Sequence, residues 1–159
     1  MASAAFIGVV VKQENGNVIK PNIELLGKEI VTDLKHPLFH TTVINETTEV
    51  MRIYHHFDGN PKKLGETLLK DFNSYEKAIN LMSFGDASNI QLDKAVFYNS
   101  WRDGEEWLYT KPKQFNSEQQ FESKSAESYI YLFKNGQWLV KSCYGINKNW
   151  RLLTDVLKK

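Results

Sequence analysis

One cysteine, Cys143, stands among 159 residues, so no disulfide can form within the chain, and a reducing compartment, the cytoplasm, is the expected setting. Neither charge is in excess: Lys and Arg number 20 and Asp and Glu 19, for a net charge of +1. A dedicated polyanion binder carries a basic surplus, so nucleic acid is not the expected partner. The basic patches Lys111-Pro112-Lys113 and Lys158-Lys159 are too sparse for a nucleic-acid track. Long hydrophobic runs are also missing. The apolar opening, Ala4 to Val11, has no basic preamble and stops at Lys12, too short to span a bilayer and poor as a signal peptide. Without repeats, low-complexity tracts or a Pro/Gly/Ser linker, residues 1–159 read as a single domain.

Chemical motifs are absent as well. The chain has no Gly-x-Ser-x-Gly elbow, phosphate-binding loop, Gly-x-Gly-x-x-Gly fingerprint or His-Glu-x-x-His pattern. Four histidines are present; His36 and His40 have Pro37 between them, which breaks helical spacing, and neighbouring His55 and His56 face opposite sides of a strand. No metal and no cofactor are expected from such a set. Cys143 reads as a small buried hydrophobe at a strand end.

What is present is an ordinary globular mix, 42% hydrophobic and 25% charged, enough to bury a core. The 13% aromatic content stands out, with nine Phe, seven Tyr and four Trp. The run Ala5 to Val11 is β-branched and strand-like, and Leu38 to Ile44 and Glu49 to Phe57 read as further strands. Asn60-Pro61 supplies a cap and first-turn proline for a helix with Leu64, Leu68, Leu69 and Phe72 on one side. Asn73 with Glu76 resembles a capping box for a second helix carrying Tyr75, Ala78, Ile79 and Met82, with Gly85 at its C-terminal cap. Lys94 to Tyr98 and Glu106 to Tyr109 read as strands, and Asn116-Ser117 can cap a surface helix to about Glu127. The clearest element is a hairpin, Tyr129 to Lys134 and Gln137 to Cys143, around Asn135-Gly136. A short helix within Trp150 to Leu157 closes the chain. Hairpin strands with helices between them predict an α+β fold: a mainly antiparallel sheet with two or three helices inserted and packed on it.

Two segments are candidate sites. On a strand from Glu49 to Phe57, Tyr54, His56 and Asp58 share a face, while Ile53, His55 and Phe57 share the other. Beside a glycine turn and a helix start, Tyr54, His56 and Asp58 can bind an anion or polarised carbonyl, with His56–Asp58 as an acid–base pair and Tyr54 orienting the substrate. The same pattern also suits a turn organised by Asp58 with a locally bonded His56. The second segment, Trp101-Arg102-Asp103-Gly104-Glu105-Glu106-Trp107, places Trp101, Arg102 and Trp107 around a charged turn, either as a recognition edge or as a hairpin folded onto the core.

Over roughly residues 50 to 140, the chain resembles a family of small uncharacterised proteins of tailed bacteriophages and bacteria. The resemblance rests on Tyr54-His55-His56-Phe57-Asp58-Gly59-Asn60-Pro61, Gly65 with Leu68-Leu69, Phe72-Asn73-Ser74 with Glu76-Lys77, Gly85-Asp86-Ala87-Ser88, the aromatic acidic turn Tyr98 to Trp107 and the ending Tyr129 to Trp138. A longer stretch of chain precedes the block here than in that family, and Asn99 stands where its members often carry histidine. The resemblance implies a phage accessory protein. The expected function is binding and blocking a host or antiviral-defence component, a protein or a nucleotide-like signal, without catalysis. The alternative is a small hydrolase or transferase using His56 and Asp58.

Overall fold

The computed structural model describes residues 4–14, 17–19, 40–41, 49–90, 96–99, 105–143 and 149–158. The opening run forms strand β1 (Ala5–Val10), followed by β2 (Lys12–Glu14), β3 (Asn17–Ile19), β4 (His40–Thr41) and β5 (Val50–His55). After a wide π-type turn, Pro61–Gly65, come helices α1 (Glu66–Asp71) and α2 (Tyr75–Met82), then strands β6 (Ala87–Asn89) and β7 (Val96–Phe97). The remainder is helix α3 (Glu106–Thr110), β8 (Lys113–Phe115), α4 (Glu118–Ser123), β9 (Tyr129–Lys134), β10 (Gln137–Ser142), β11 (Arg151–Leu152) and α5 (Leu153–Leu157). Between them, β2, β3 and β4 make a separate three-stranded sheet.

The main sheet corrects the expected architecture. It has eight strands in the order β11-β10-β9-β1-β5-β6-β7, with β8 also on β5, and it is mixed, accompanied by a few short helices. β1 pairs parallel with β9 from Ala5↔Tyr129 to Val9↔Phe133, and β5 pairs parallel with β6 at His55↔Ala87. Parallel neighbours need a long crossover, so no local turn signal announces them. The run Ala-Phe-Ile-Gly-Val-Val becomes a central strand because both its faces are covered.

Local signals set several element ends. Asn60 Oδ1 accepts from the Lys63 N–H at 3.1 Å. Ser74, one residue later than the Asn73 cap expected, accepts from the Lys77 N–H at 3.2 Å. In the hairpin, Asn135 and Gly136 take φ of 52° and 78°, the left-handed pair a two-residue turn needs. Two expectations fail locally. Glu106 to Tyr109 is one turn of helix, ended by Lys111, which is extended before Pro112 as prolines require. The helix capped by Ser117 stops at Ser123, short of Glu127; it lies at the surface with Gln119, Gln120 and Ser123 exposed, anchored by the fully buried Phe121. The strand expected over Leu38 to Ile44 lies outside the described residues except for His40–Thr41.

The two sheet faces differ. One carries Ile7, Val9, Met51, Ile53, Tyr131, Phe133, Trp138 and Val140 under Leu64, Leu68, Ala78, Ile79, Met82 and Leu153. Each Val, Leu, Ile, Phe or Met side chain among them contributes about 1.5–3 kcal/mol on burial. Tyr131 Oη donates to the Gly59 carbonyl at 2.6 Å and Trp138 Nε1 to the Phe72 carbonyl at 3.0 Å, so the polar ends of these aromatics are satisfied. The opposite face packs Val50, Ile130 and Leu132 around Phe121. A Cβ at Gly8 would stand 2.6 Å from Phe121 Cζ, so the glycine admits the ring.

Candidate functional site

Alternation along β5 puts Arg52 and Tyr54 on the α4 side of the sheet. Arg52 is buried, its guanidinium 4.1 Å from the Phe6 ring centroid and 4.8 Å from that of Phe115. Its Nη1 donates to the Lys124 carbonyl at 2.6 Å and to Ser125 Oγ at 3.2 Å. Burial lowers its pKa from the usual arginine value, against the opposing pull of Asp86.

The sheet forks at Tyr54. β8 bonds β5 over Val50–Arg52, and β6 takes over at His55, continued by His56 N–H to the Ala87 carbonyl (3.1 Å) and Phe57 N–H to the Ser88 carbonyl (2.9 Å). In the gap, the Tyr54 N–H donates to Asp86 Oδ1 at 2.9 Å. Burial raises the Asp86 carboxyl above its usual pKa, although the Tyr54 N–H, Lys113 and Arg52 each favour its charged form. Its position is fixed by backbone bonds from the Asp86 N–H to the Thr110 carbonyl (2.7 Å) and from the Tyr98 N–H to the Asp86 carbonyl (3.1 Å).

The structure brings Tyr54 and His56 together, with 2.8 Å between the hydroxyl and Nδ1. Phe6, Tyr54, His56 and Phe57 form a run of aromatic rings with successive centroids 5.5, 5.8 and 4.4 Å apart, the outer two pairs edge-to-face and the Tyr54–His56 pair tilted. Burial raises the Tyr54 phenol above its usual pKa, so this partner of His56 is a neutral hydroxyl at neutral pH. An acid–base dyad places a carboxylate on the imidazole nitrogen that Tyr54 occupies here. Asp58 leaves the strand alternation: β5 ends at His55, and Asp58 sits at φ 55°. Its charge is felt by His55 on the other face. His55 is fully buried; Nε2 accepts from the Ile90 N–H at 3.1 Å, Nδ1 has no hydrogen-bond partner among the described residues, and burial lowers its pKa to about 4.

Of the second candidate segment, Trp101 and Arg102 lie outside the described residues. Trp107 is 8% exposed and belongs to the core, against Gly85. Sequence reasoning missed what flanks this turn. The exposed large hydrophobics among the described residues are Phe57, Val96, Tyr98, Leu108 and Tyr109. All five gather around Asp86–Asn89: Phe57 bonds Ser88, Val96 pairs with Asn89, Tyr98 bonds Asp86, and Leu108 and Tyr109 immediately precede Thr110, which bonds Asp86. Arg52 and Asp86 were missed too; the Gly85-Asp86 step after a capped helix was the available signal for the latter.

Among the described residues, no cluster of three or more His, Cys, Asp or Glu can hold a metal ion, and no helix is long and apolar enough to cross a membrane. No family model, curated protein or solved structure matches the chain.

Proposed function

We propose that this chain is a non-catalytic recognition protein that binds and blocks a protein partner through the surface around Asp86–Asn89. The carrying observation is the gathering there of Phe57, Val96, Tyr98, Leu108 and Tyr109, with Tyr109 76% exposed. Exposed apolar side chains carried on neighbouring segments support an interaction surface, and tyrosines and phenylalanines are enriched in contact cores. Pairing of His56 with a neutral tyrosine supports binding over turnover. In the setting that the resemblance implies, a phage accessory protein in the cytoplasm of an infected bacterium, the partner is a host or antiviral-defence component.

The test is affinity capture from a bacterial lysate, read by quantitative mass spectrometry, with wild type, His56→Ala and the double variant Tyr98→Ser/Tyr109→Ser. The double variant should lose a stoichiometric partner by about tenfold or more, because truncating contact-core aromatics costs on the order of 2 kcal/mol. His56→Ala should retain that partner within a few-fold. Both exposed tyrosines can be replaced without unfolding, which an unchanged Tm verifies. Steady multiple-turnover chemistry abolished by His56→Ala would reverse the proposal in favour of the hydrolase or transferase reading.

A further inference from the structure

A groove of about 520 Å³ opens between the Pro61–Gly65 turn and α5. That volume is in the range of small-molecule sites. Asn60, Pro61, Lys62 and Glu66 line one wall, and Tyr129, Val156 and Leu157 the other. None of these belongs to the surface around Asp86–Asn89.

The groove follows from the local backbone. The turn is widened by one residue, with the Gly65 N–H donating to the Asn60 carbonyl at 3.4 Å and the Glu66 N–H to the Pro61 carbonyl. Such π-type segments concentrate at functional sites. A Cβ at Gly65 would lie 2.8 Å from Leu153 Cδ1, so the glycine lets the first turn of α5 settle against it. The next residues of α5, Val156 and Leu157, then face the groove half-buried.

The chemistry on offer is bipolar. Lys62 supplies a cation and Glu66 an anion, and among the described residues neither is in an ion pair. Asn60 has spent its side-chain oxygen on the Lys63 N–H, which leaves its amide NH₂ as a donor. Pro61, Tyr129, Val156 and Leu157 give an apolar lining. We propose that this groove binds a zwitterion with a large apolar body, in the size class of an aromatic amino acid or an apolar dipeptide. Its carboxylate meets Lys62 and Asn60, its ammonium meets Glu66, and its side chain covers Tyr129, Val156 and Leu157.

Isothermal titration of the full chain with L-phenylalanine and with leucyl-phenylalanine tests this directly. At least one should bind saturably at one site, and N-acetylation or C-terminal amidation of that probe should each weaken binding about tenfold. Glu66→Gln should abolish discrimination against the N-acetylated probe, and Lys62→Met against the amidated one. Both side chains are exposed, so Tm should stay unchanged. Absence of binding by both zwitterions, equal binding of the doubly capped probe, or binding unaltered in both variants would each overturn the assignment.

Discussion

The two faces of the main sheet each bury one basic side chain from β5, and they deal with its charge in opposite ways. On the helix-covered face His55 is sealed in the core as a neutral imidazole, with Nε2 bonded to the Ile90 N–H and Nδ1 without a partner among the described residues. On the α4 face Arg52 lies between the Phe6 and Phe115 rings and donates to Lys124 and Ser125. A histidine escapes the cost of buried charge by giving up its proton, whereas a guanidinium stays charged and must be supplied with acceptors and aromatic faces. The face that accommodates a permanent charge is also where the sheet forks at Tyr54 and the aromatic run begins.

Acid separates the two most sharply. The His55 pKa is about 4 in the folded chain against an ordinary 6.5, so the unfolded chain binds the extra proton first. His55 therefore contributes stability that is fully present above pH 6.5 and lost as pH falls towards 4, a loss of about 3 kcal/mol. Urea unfolding across that window should show the loss in wild type and a flatter profile in His55→Gln, which can still accept from Ile90 without titrating. Identical slopes would mean that His55 is not the group responsible. Asp58 favours and His56 opposes the protonated form, so this profile is read beside Asp58→Asn.

Arg52 gives a smaller effect. Arg52→Met keeps apolar bulk between the two rings but leaves the Lys124 carbonyl and Ser125 Oγ without their donor. The expected cost is about 2 kcal/mol at neutral pH, and it shrinks in acid as Asp86, whose charged form Arg52 favours, takes up its proton. A variant as stable as wild type would show that α4 is seated by Phe121 under Gly8 alone.

Much of the local structure could be read from residue types, because caps and tight turns are decided within a few residues. Asn60-Pro61, Ser117, Gly85 and Asn135-Gly136 are such cases. The parallel pairings of β1 with β9 and β5 with β6 could not, since apolar alternation carries no strand direction. The site divides the same way. Alternation along a strand brought Tyr54 and His56 to one side, but could not foresee that the chain turns left-handed at Asp58 and ends the pattern. The apolar surface around Asp86–Asn89 was hidden for another reason: Phe57, Tyr98 and Tyr109 look like core residues until the sheet edge beside them is known.

Asp86 supplies the finest test of the fork, because its charge and its hydrogen bond can be separated. The carboxyl is held above its usual pKa by burial, so ionising it costs folding free energy, while its Oδ1 satisfies a Tyr54 N–H that the ladder leaves open between β8 and β6. Asp86→Asn keeps an oxygen for that N–H and removes the charge, so stability at neutral pH should change by less than about 0.5 kcal/mol or rise slightly. Asp86→Ala removes the acceptor as well and should cost about 1–2 kcal/mol through the stranded donor. Equal losses in the two variants would mean that the carboxylate, through Arg52 and Lys113, holds the fork by charge. Hydrogen exchange at the Tyr54 amide reads the same distinction locally, staying protected with asparagine and opening with alanine.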